Sequence, residues 1–190
     1  MKLCLLKSLL VVLLGATLGC SEKRADVDDN ERYKRNGISF DYPGNWKVTE
    51  DTEIDGFRYL FVETPGDAIV KVEIYANKDS FSLLDFVHLD IESFNSEMKG
   101  IFKVGEKSEI AATKKTVGNN VFDGYEQKFD ITILGVEVPH IKEFYLLKSD
   151  TVSAYIVYQV VTEDLGLVEG GFAQILGSFK VGKALKMQKP

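Results

Sequence analysis

The sequence reads as an α+β domain, an antiparallel sheet covered by helices, and three observations carry that reading. Strict alternation of apolar and polar residues recurs along the chain. Its longest run is residues 125–133, where Tyr125, Gln127, Phe129, Ile131 and Ile133 alternate with Glu126, Lys128, Asp130 and Thr132. Side chains on a strand point to opposite faces in turn, so this pattern marks a half-buried strand. Two other segments switch to the helical period. Leu84, Val87, Ile91, Phe94 and Met98 form one stripe, and Leu165, Val168, Phe172, Ile175 and Phe179 form a second with the same spacing. The last three strands are joined by short turns, at Gly135 and at Ser149-Asp150, which allow an antiparallel meander but no parallel crossover.

Taken in order, the first strand is Ile38, Phe40 and Tyr42 alternating with Ser39 and Asp41. Pro43-Gly44-Asn45 supplies turn chemistry, because Pro sets φ while Gly and Asn tolerate positive φ. That turn returns Trp46, the only tryptophan, towards the same apolar layer. Residues 57–63 are a second strand, closed by the turn Thr64-Pro65-Gly66-Asp67. Residues 68–76 are a third, with Val70, Val72, Ile74 and Ala76 on one face and Lys71 and Glu73 on a partly solvated face. Residues 79–98 form the first helix. Ser82 with Asp85 makes an acidic variant of the capping box, and Gly100 is a natural stop. Residues 101–113 supply one or two short strands, and 117–120 a turn. After the long strand, residues 136–147 and 151–161 follow, the latter with Val152, Ala154, Ile156, Tyr158 and Val160 sharing a face. Pro139 is expected at a bulge or an unpaired edge position, since it donates nothing to a ladder. Thr162 caps the last helix with Glu163 and Asp164 in its first turn. Gly166, Gly170 and Gly171 each weaken that helix by up to about 1 kcal/mol, so it depends on docking. The order predicts an α/β/α sandwich.

The N-terminus carries the most specific chemistry. Residues 1–7 include Lys2 and Lys7, and 8–18 are an almost wholly apolar run. That is the charged start and short apolar core of a signal peptide, too short to span a bilayer as a mature helix. Thr17-Leu18-Gly19-Cys20-Ser21 resembles a bacterial lipobox, with Gly before the essential Cys and Thr17 where Leu is usual. The resemblance implies cleavage after residue 19 and a lipid-bearing Cys20 as the mature N-terminus; two or more acyl chains anchor stably where one does not. Cysteine usage agrees. Cys4 leaves with the signal peptide, so Cys20 is the single mature cysteine and no intrachain disulfide is possible. Ser21, rather than the Asp associated with inner-membrane retention in enteric bacteria, points to the periplasmic side of the outer membrane.

Residues 21–35 hold ten charged residues among fifteen, with Ala25, Val27 and Tyr33 the apolar exceptions. Such a stretch buries too little to offset its ordering entropy and is expected to be a tether, about 20 Å as a coil and about 50 Å fully stretched. The expected organisation is a signal peptide over 1–19, a lipidated tether over 20–35, a domain over 36–182 and a tail over 183–190. With 45% apolar and 27% charged residues the 190-residue chain is ordinary for one globular domain. Its net charge of −6, which becomes −8 once Lys2 and Lys7 are removed, speaks against nucleic acid as a partner.

The element order, together with Ile38–Pro43 leading through Pro43-Gly44-Asn45-Trp46 to Val48 and with Gln174-Ile175-Leu176-Gly177-Ser178-Phe179 closing the last helix, resembles the PsbP-like fold family over roughly residues 37–181. The motifs are fold motifs, not catalytic ones. The family includes extrinsic photosystem II subunits, a Ran-GTPase-binding protein and bacterial envelope lipoproteins, so the resemblance implies a binding or assembly protein and supplies no catalytic residue.

Candidate chemistry is sparse. Asp85, His88 and Glu92 fall on one helical face and could hold Zn²⁺ or Mn²⁺; the same spacing also describes a solvated, ion-paired face, which is the commoner origin of such a pattern. His140, next to Pro139, has Val138 and Lys142 as its strand-face neighbours and reads as a polar strand residue. Gly-x-Ser-x-Gly, Walker, His-Glu-x-x-His, Cys-x-x-Cys and Gly-x-Gly-x-x-Gly patterns do not occur. The sequence therefore reads as a non-catalytic, cofactor-free envelope lipoprotein. Its domain is expected to bind a protein partner, or alternatively a small apolar or lipidic ligand held between sheet and helix.

Overall fold

The computed structural model describes residues 23–182 except 55, 66–67, 100–101 and 106–107. The signal segment, Cys20, the Gly100 stop, half of the 64–67 turn and the 183–190 tail lie outside the described residues. In chain order the elements are β1 (Asn30–Arg35), β2 (Ile38–Pro43), β3 (Lys47–Ile54), β4 (Phe57–Glu63), β5 (Ile69–Ala76), α1 (Leu83–Met98), β6 (Lys103–Val104), β7 (Glu109–Val117), β8 (Asn120–Ile133), β9 (Val136–Lys148), β10 (Val152–Val161), α2 (Leu165–Ser178) and β11 (Lys180–Val181).

The large sheet runs β3-β4-β5-β10-β9-β8, with β7 and β6 pairing successive stretches of β8, and every pairing is antiparallel. β10 sits near its middle and is buried almost throughout because both of its faces are covered. Its alternation sends Val152, Ala154, Ile156, Tyr158 and Val160 into one core with Val168, Phe172, Ile175 and Leu176 of α2. Tyr155 and Val157 face the other way, into a smaller core with Phe86 and Val87 of α1. The expected α+β sandwich is what forms, and the layer containing α2 also holds a second sheet, β1-β2-β11.

That second sheet changes two expectations. The strand β2 stands outside the main sheet: Phe40 stacks between Tyr33 at 4.9 Å and Phe179 at 5.7 Å. Residues 30–35, expected as tether, are β1, in register with β2 from Asn30↔Pro43 to Arg35↔Ile38. Order extends further upstream. The Ala25 N–H donates to the Leu167 carbonyl at 2.8 Å, and Asn45 bonds the Arg24 carbonyl (3.0 Å) and the Asp26 N–H (2.9 Å). Charged residues fold here because their backbone completes a sheet while their side chains stay in water.

Arg58 of β4 explains why the small sheet stays on the large one. It is completely buried. Its guanidinium donates twice to Asp51 (2.8 and 3.1 Å), to the Tyr33 hydroxyl (2.7 Å) and to the carbonyls of Arg35 and Asn36 (both 3.3 Å). A planar fork of donors suits this multidentate arrangement. Burial favours the neutral form of Asp51, but hydrogen bonds from Arg58 and Tyr33 and the charges of Arg58 and Arg35 outweigh it and hold the carboxyl below its ordinary value.

Other local readings shift for identifiable reasons. The sequence reading leaves residues 47–54 without an assignment; they form the edge strand β3, whose charged residues suit an edge. Thr162 does not cap α2. Thr162–Asp164 form a 3-10 turn, and Asp164 precedes the helix without a side-chain cap. Pro139 lies one residue beyond the last β9–β10 pair, His140↔Val161, so one side of β9 needs no ladder bond there. Gly171 is required by close approach: a Cβ would enter the Trp46 ring and come within 2.8 Å of Pro43 Cγ.

Two outcomes are expected in urea titrations. Gly171→Ala should lower stability by about 1–3 kcal/mol through overpacking against Trp46, whatever it gains in helix propensity. Because Asp51 titrates lower in the folded state than in the unfolded chain, its contribution is complete above the unfolded pKa and fades as pH falls through the folded one. Stability should therefore drop on acidification below about pH 4, and Asp51→Asn should flatten that slope while lowering stability at pH 7.

Candidate functional site

The site is built on the α1 face of the large sheet. Ser82 starts the helix as expected: its hydroxyl accepts the Asp85 N–H at 3.1 Å and donates to the Asp85 carboxylate at 2.7 Å. The face that α1 buries is rotated from the expected stripe. Leu84 and Leu89 are exposed, whereas Phe86, Val87 and Asp90 are buried, with Phe86 stacked on Tyr155 at 4.0 Å.

Asp90 is the reason. It descends between Lys71 of β5, which donates to Oδ1, and Lys142 of β9, which donates to Oδ2 at 2.9 Å. Lys71 also pairs with Glu73 (2.9 Å), which accepts the Tyr75 hydroxyl at 2.7 Å. Two lysines and two carboxylates make a neutral group, so no net charge is buried. The Lys142 ammonium is additionally 4.2 Å from the Phe94 ring centre, with Phe129 at 5.7 Å and Phe144 at 5.9 Å. Desolvated ammonium over an aromatic face is favourable.

The two lysines titrate in opposite directions. Burial, helped by the neighbouring Lys71 charge, pulls the Lys142 pKa down more than Asp90 and the more weakly acting Glu97 push it up, so it lies below the ordinary lysine value. Lys71 also meets a burial penalty, but Asp90 and Glu73 together overcome it and raise its pKa. Burial works to raise the pKa of Asp90, and the two ammoniums reverse that and lower it.

Beyond this ion group α1 ends, and the sheet continues. The space between them is a cleft of about 590 Å³ whose apolar wall is Phe94, Met98, Phe102, Ile131, Val138 and Val161, with Thr64, His140 and Gln159 among its polar groups. A smaller recess of about 210 Å³ shares Ile69, Phe94, Met98 and Gln159 with it and reaches Lys71, Asp90 and Lys142. His140 is buried, stacks on Phe129 at 5.4 Å and shares a hydrogen bond of 2.8 Å with the Val138 carbonyl through Nδ1. It is a wall residue of the cleft, in keeping with its polar strand position.

The structure does not assemble the metal-binding trio suggested by spacing. Asp85, His88 and Glu92 are all exposed on the outer side of α1, Asp85 is engaged with Ser82, and no group of three His, Cys, Asp or Glu side chains among the described residues could hold a metal ion. The helical face that carries chemistry is the one holding Asp90. Its sequence signal was a carboxylate two turns from the cap, next to the apolar stripe, facing lysines at alternate positions of two apolar strands; only pairing of β5 and β9 to β10 brings those lysines together.

No family model matches the sequence, and no curated protein matches it. Among solved structures, the chain is similar to the cyanobacterial PsbP (CyanoP) of Synechocystis sp. PCC 6803, at 14% identity over 87% of this chain and 95% of that one, with a TM-score of 0.47. It is also similar to a protein of Bacteroides thetaiotaomicron VPI-5482, at 12% identity over 82% of this chain but only 50% of that one (TM-score 0.46). A third is LpqN, involved in cell envelope biogenesis of Mycobacterium tuberculosis, at 10% identity over 82% of this chain and 87% of that one (TM-score 0.41). The first of these bears the name of the family that the opening strand and closing helix resemble.

Asp90→Asn should cost about 3–5 kcal/mol in urea unfolding, since it strips the buried Lys142 ammonium of its counter-charge and leaves the half-buried Lys71 with Glu73 alone. Lys142→Met, which removes a buried charge while keeping an apolar contact for Phe94, should cost less.

Proposed function

We propose that this protein is an envelope lipoprotein, cleaved after residue 19 and held to the membrane through lipid on Cys20, with the periplasmic side of the outer membrane as its place. Its domain binds rather than catalyses. The observation that carries the binding reading is the cleft beside α1: its volume and its apolar wall with a few polar groups are those of a site for an apolar or lipidic group. A non-catalytic role is supported by how the nearby polar groups are used. Asp90 is shared by two lysines, Glu73 by Lys71 and Tyr75, and His140 engages a backbone carbonyl. Each is spent on holding the fold.

A protein partner is the second reading. Phe81, Leu84 and Leu89 are exposed at and along the outer side of α1, apolar area that a partner could cover. No helix among the described residues is long and apolar enough to cross a membrane, so contact with a bilayer falls to the lipid or to the surface of the domain.

The test places a photo-crosslinking amino acid at Met98 of the lipidated protein and irradiates intact envelopes, with mass spectrometry of the adducts. An acyl-chain or small-ligand adduct is the expected result. A reproducible protein adduct would favour the second reading. Labelling no greater than at an exposed control such as Glu53 would show that the cleft is not the binding site.

A further inference from the structure

We infer that the hairpin joining β8 and β9 is a second membrane contact, a tip that enters the lipid surface beside the anchor. This inference rests on the lipid-anchor reading of Cys20. Its first support is the chain length between anchor and domain. Arg24 and Ala25 are already bonded to Asn45 and Leu167, so only Ser21, Glu22 and Lys23 separate Cys20 from a fixed point. Four residue steps reach at most about 14 Å. The expected long tether is thus replaced by a short leash, and the end of the domain where the chain enters must lie against the bilayer.

Strand registers identify what else is at that end. Leu167 lies just after the close of β10, and Val161 at the end of β10 pairs with His140. The antiparallel ladder puts the β8–β9 turn at the same end, and β9 continues four residues beyond His140 to Val136. At roughly 3.3 Å per residue the hairpin projects about 13 Å past the end of β10. The apolar cleft, bordered by Ile133 and Val138, opens beside it.

The tip is apolar and conformationally costly. Leu134 and Gly135 have φ of 51° and 85°, the two positive values of a type I′ turn, for which Asn-Gly is the favoured pair. A leucine in the left-handed region incurs a steric penalty that Asn or Gly would relieve. Its side chain is fully exposed, and Ile133 and Val136 on either side are exposed as well. Among the described residues nothing packs on Leu134, so the strain and the exposed apolar area answer to something outside them. Lys103, opposite Thr132, and Glu137 flank the tip with one charge of each sign. The occupant these features fit is the bilayer surface: a short leash brings it within reach, and an apolar finger of three side chains offers area to it.

The test uses the full lipidated protein in vesicles of phosphatidylethanolamine and phosphatidylglycerol with brominated acyl chains. An environment-sensitive fluorophore is attached at Leu134→Cys or, as control, at Val121→Cys, which is exposed at the opposite end of β8. The Leu134 probe should be blue-shifted and quenched by the bromines, and the Val121 probe should report water. Equal, water-like emission at both positions overturns the proposal, as does a shift at position 134 that appears in native envelopes but not in pure lipid, which would point to a protein partner. Leu134→Asn should unfold at an equal or higher urea concentration; a lower one would mean that Leu134 serves the fold. Cys20→Ala separates the two readings. If that variant stays on the membrane, the anchor reading fails; if it is released while the lipidated probe at 134 stays in water, only the tip contact fails.

Discussion

A single buried carboxylate sets the geometry of the face that matters. Asp90 can satisfy Lys71 and Lys142 together only if α1 lies across β5, β10 and β9 with one particular rotation about its axis. That rotation turns Phe86 and Val87 inward, exposes Leu84 and Leu89, and leaves Phe94 and Met98 at the margin of the cleft. Apolar packing alone would tolerate neighbouring rotations at small cost, whereas an unpaired ammonium in this environment would not be tolerated. The ion group is better understood as a register device for the helix than as a source of net stability.

Arg58 performs the corresponding task on the opposite face. By joining Asp51, Tyr33 and two carbonyls near the β1–β2 turn, it docks the small sheet on the large one. Docking in turn determines where the N-terminal segment runs. The route past Asn45 and Leu167 brings the proposed anchor to the end of the sheet that carries both the cleft and the β8–β9 tip. On the proposed reading, cleft, leash and apolar finger at one end would form a consistent arrangement for contact with a bilayer.

What the sequence by itself determined is what local periodicity encodes. The alternation of residues 125–133, the turns at Gly135 and Ser149-Asp150, and the Ser82 cap were legible because each depends on neighbours within a few residues. The α+β class followed from their order. Residues 30–35 were misread as a tether because a charged edge strand resembles a solvated coil in composition, and its partner β2 is specified by tertiary docking. The Asp85, His88 and Glu92 spacing was legible too, but helical adjacency fixes only which residues share a face, not which face meets the sheet. Only the tertiary structure decided that: Asp90 meets Lys71 and Lys142 across 19 and 52 residues of chain, a distance over which no periodicity carries information. The close fit of Gly171 to Trp46, and the convergence of the Arg24–Ala25 segment, cleft and hairpin at one end, were decided in the same way, by contacts between segments far apart in sequence.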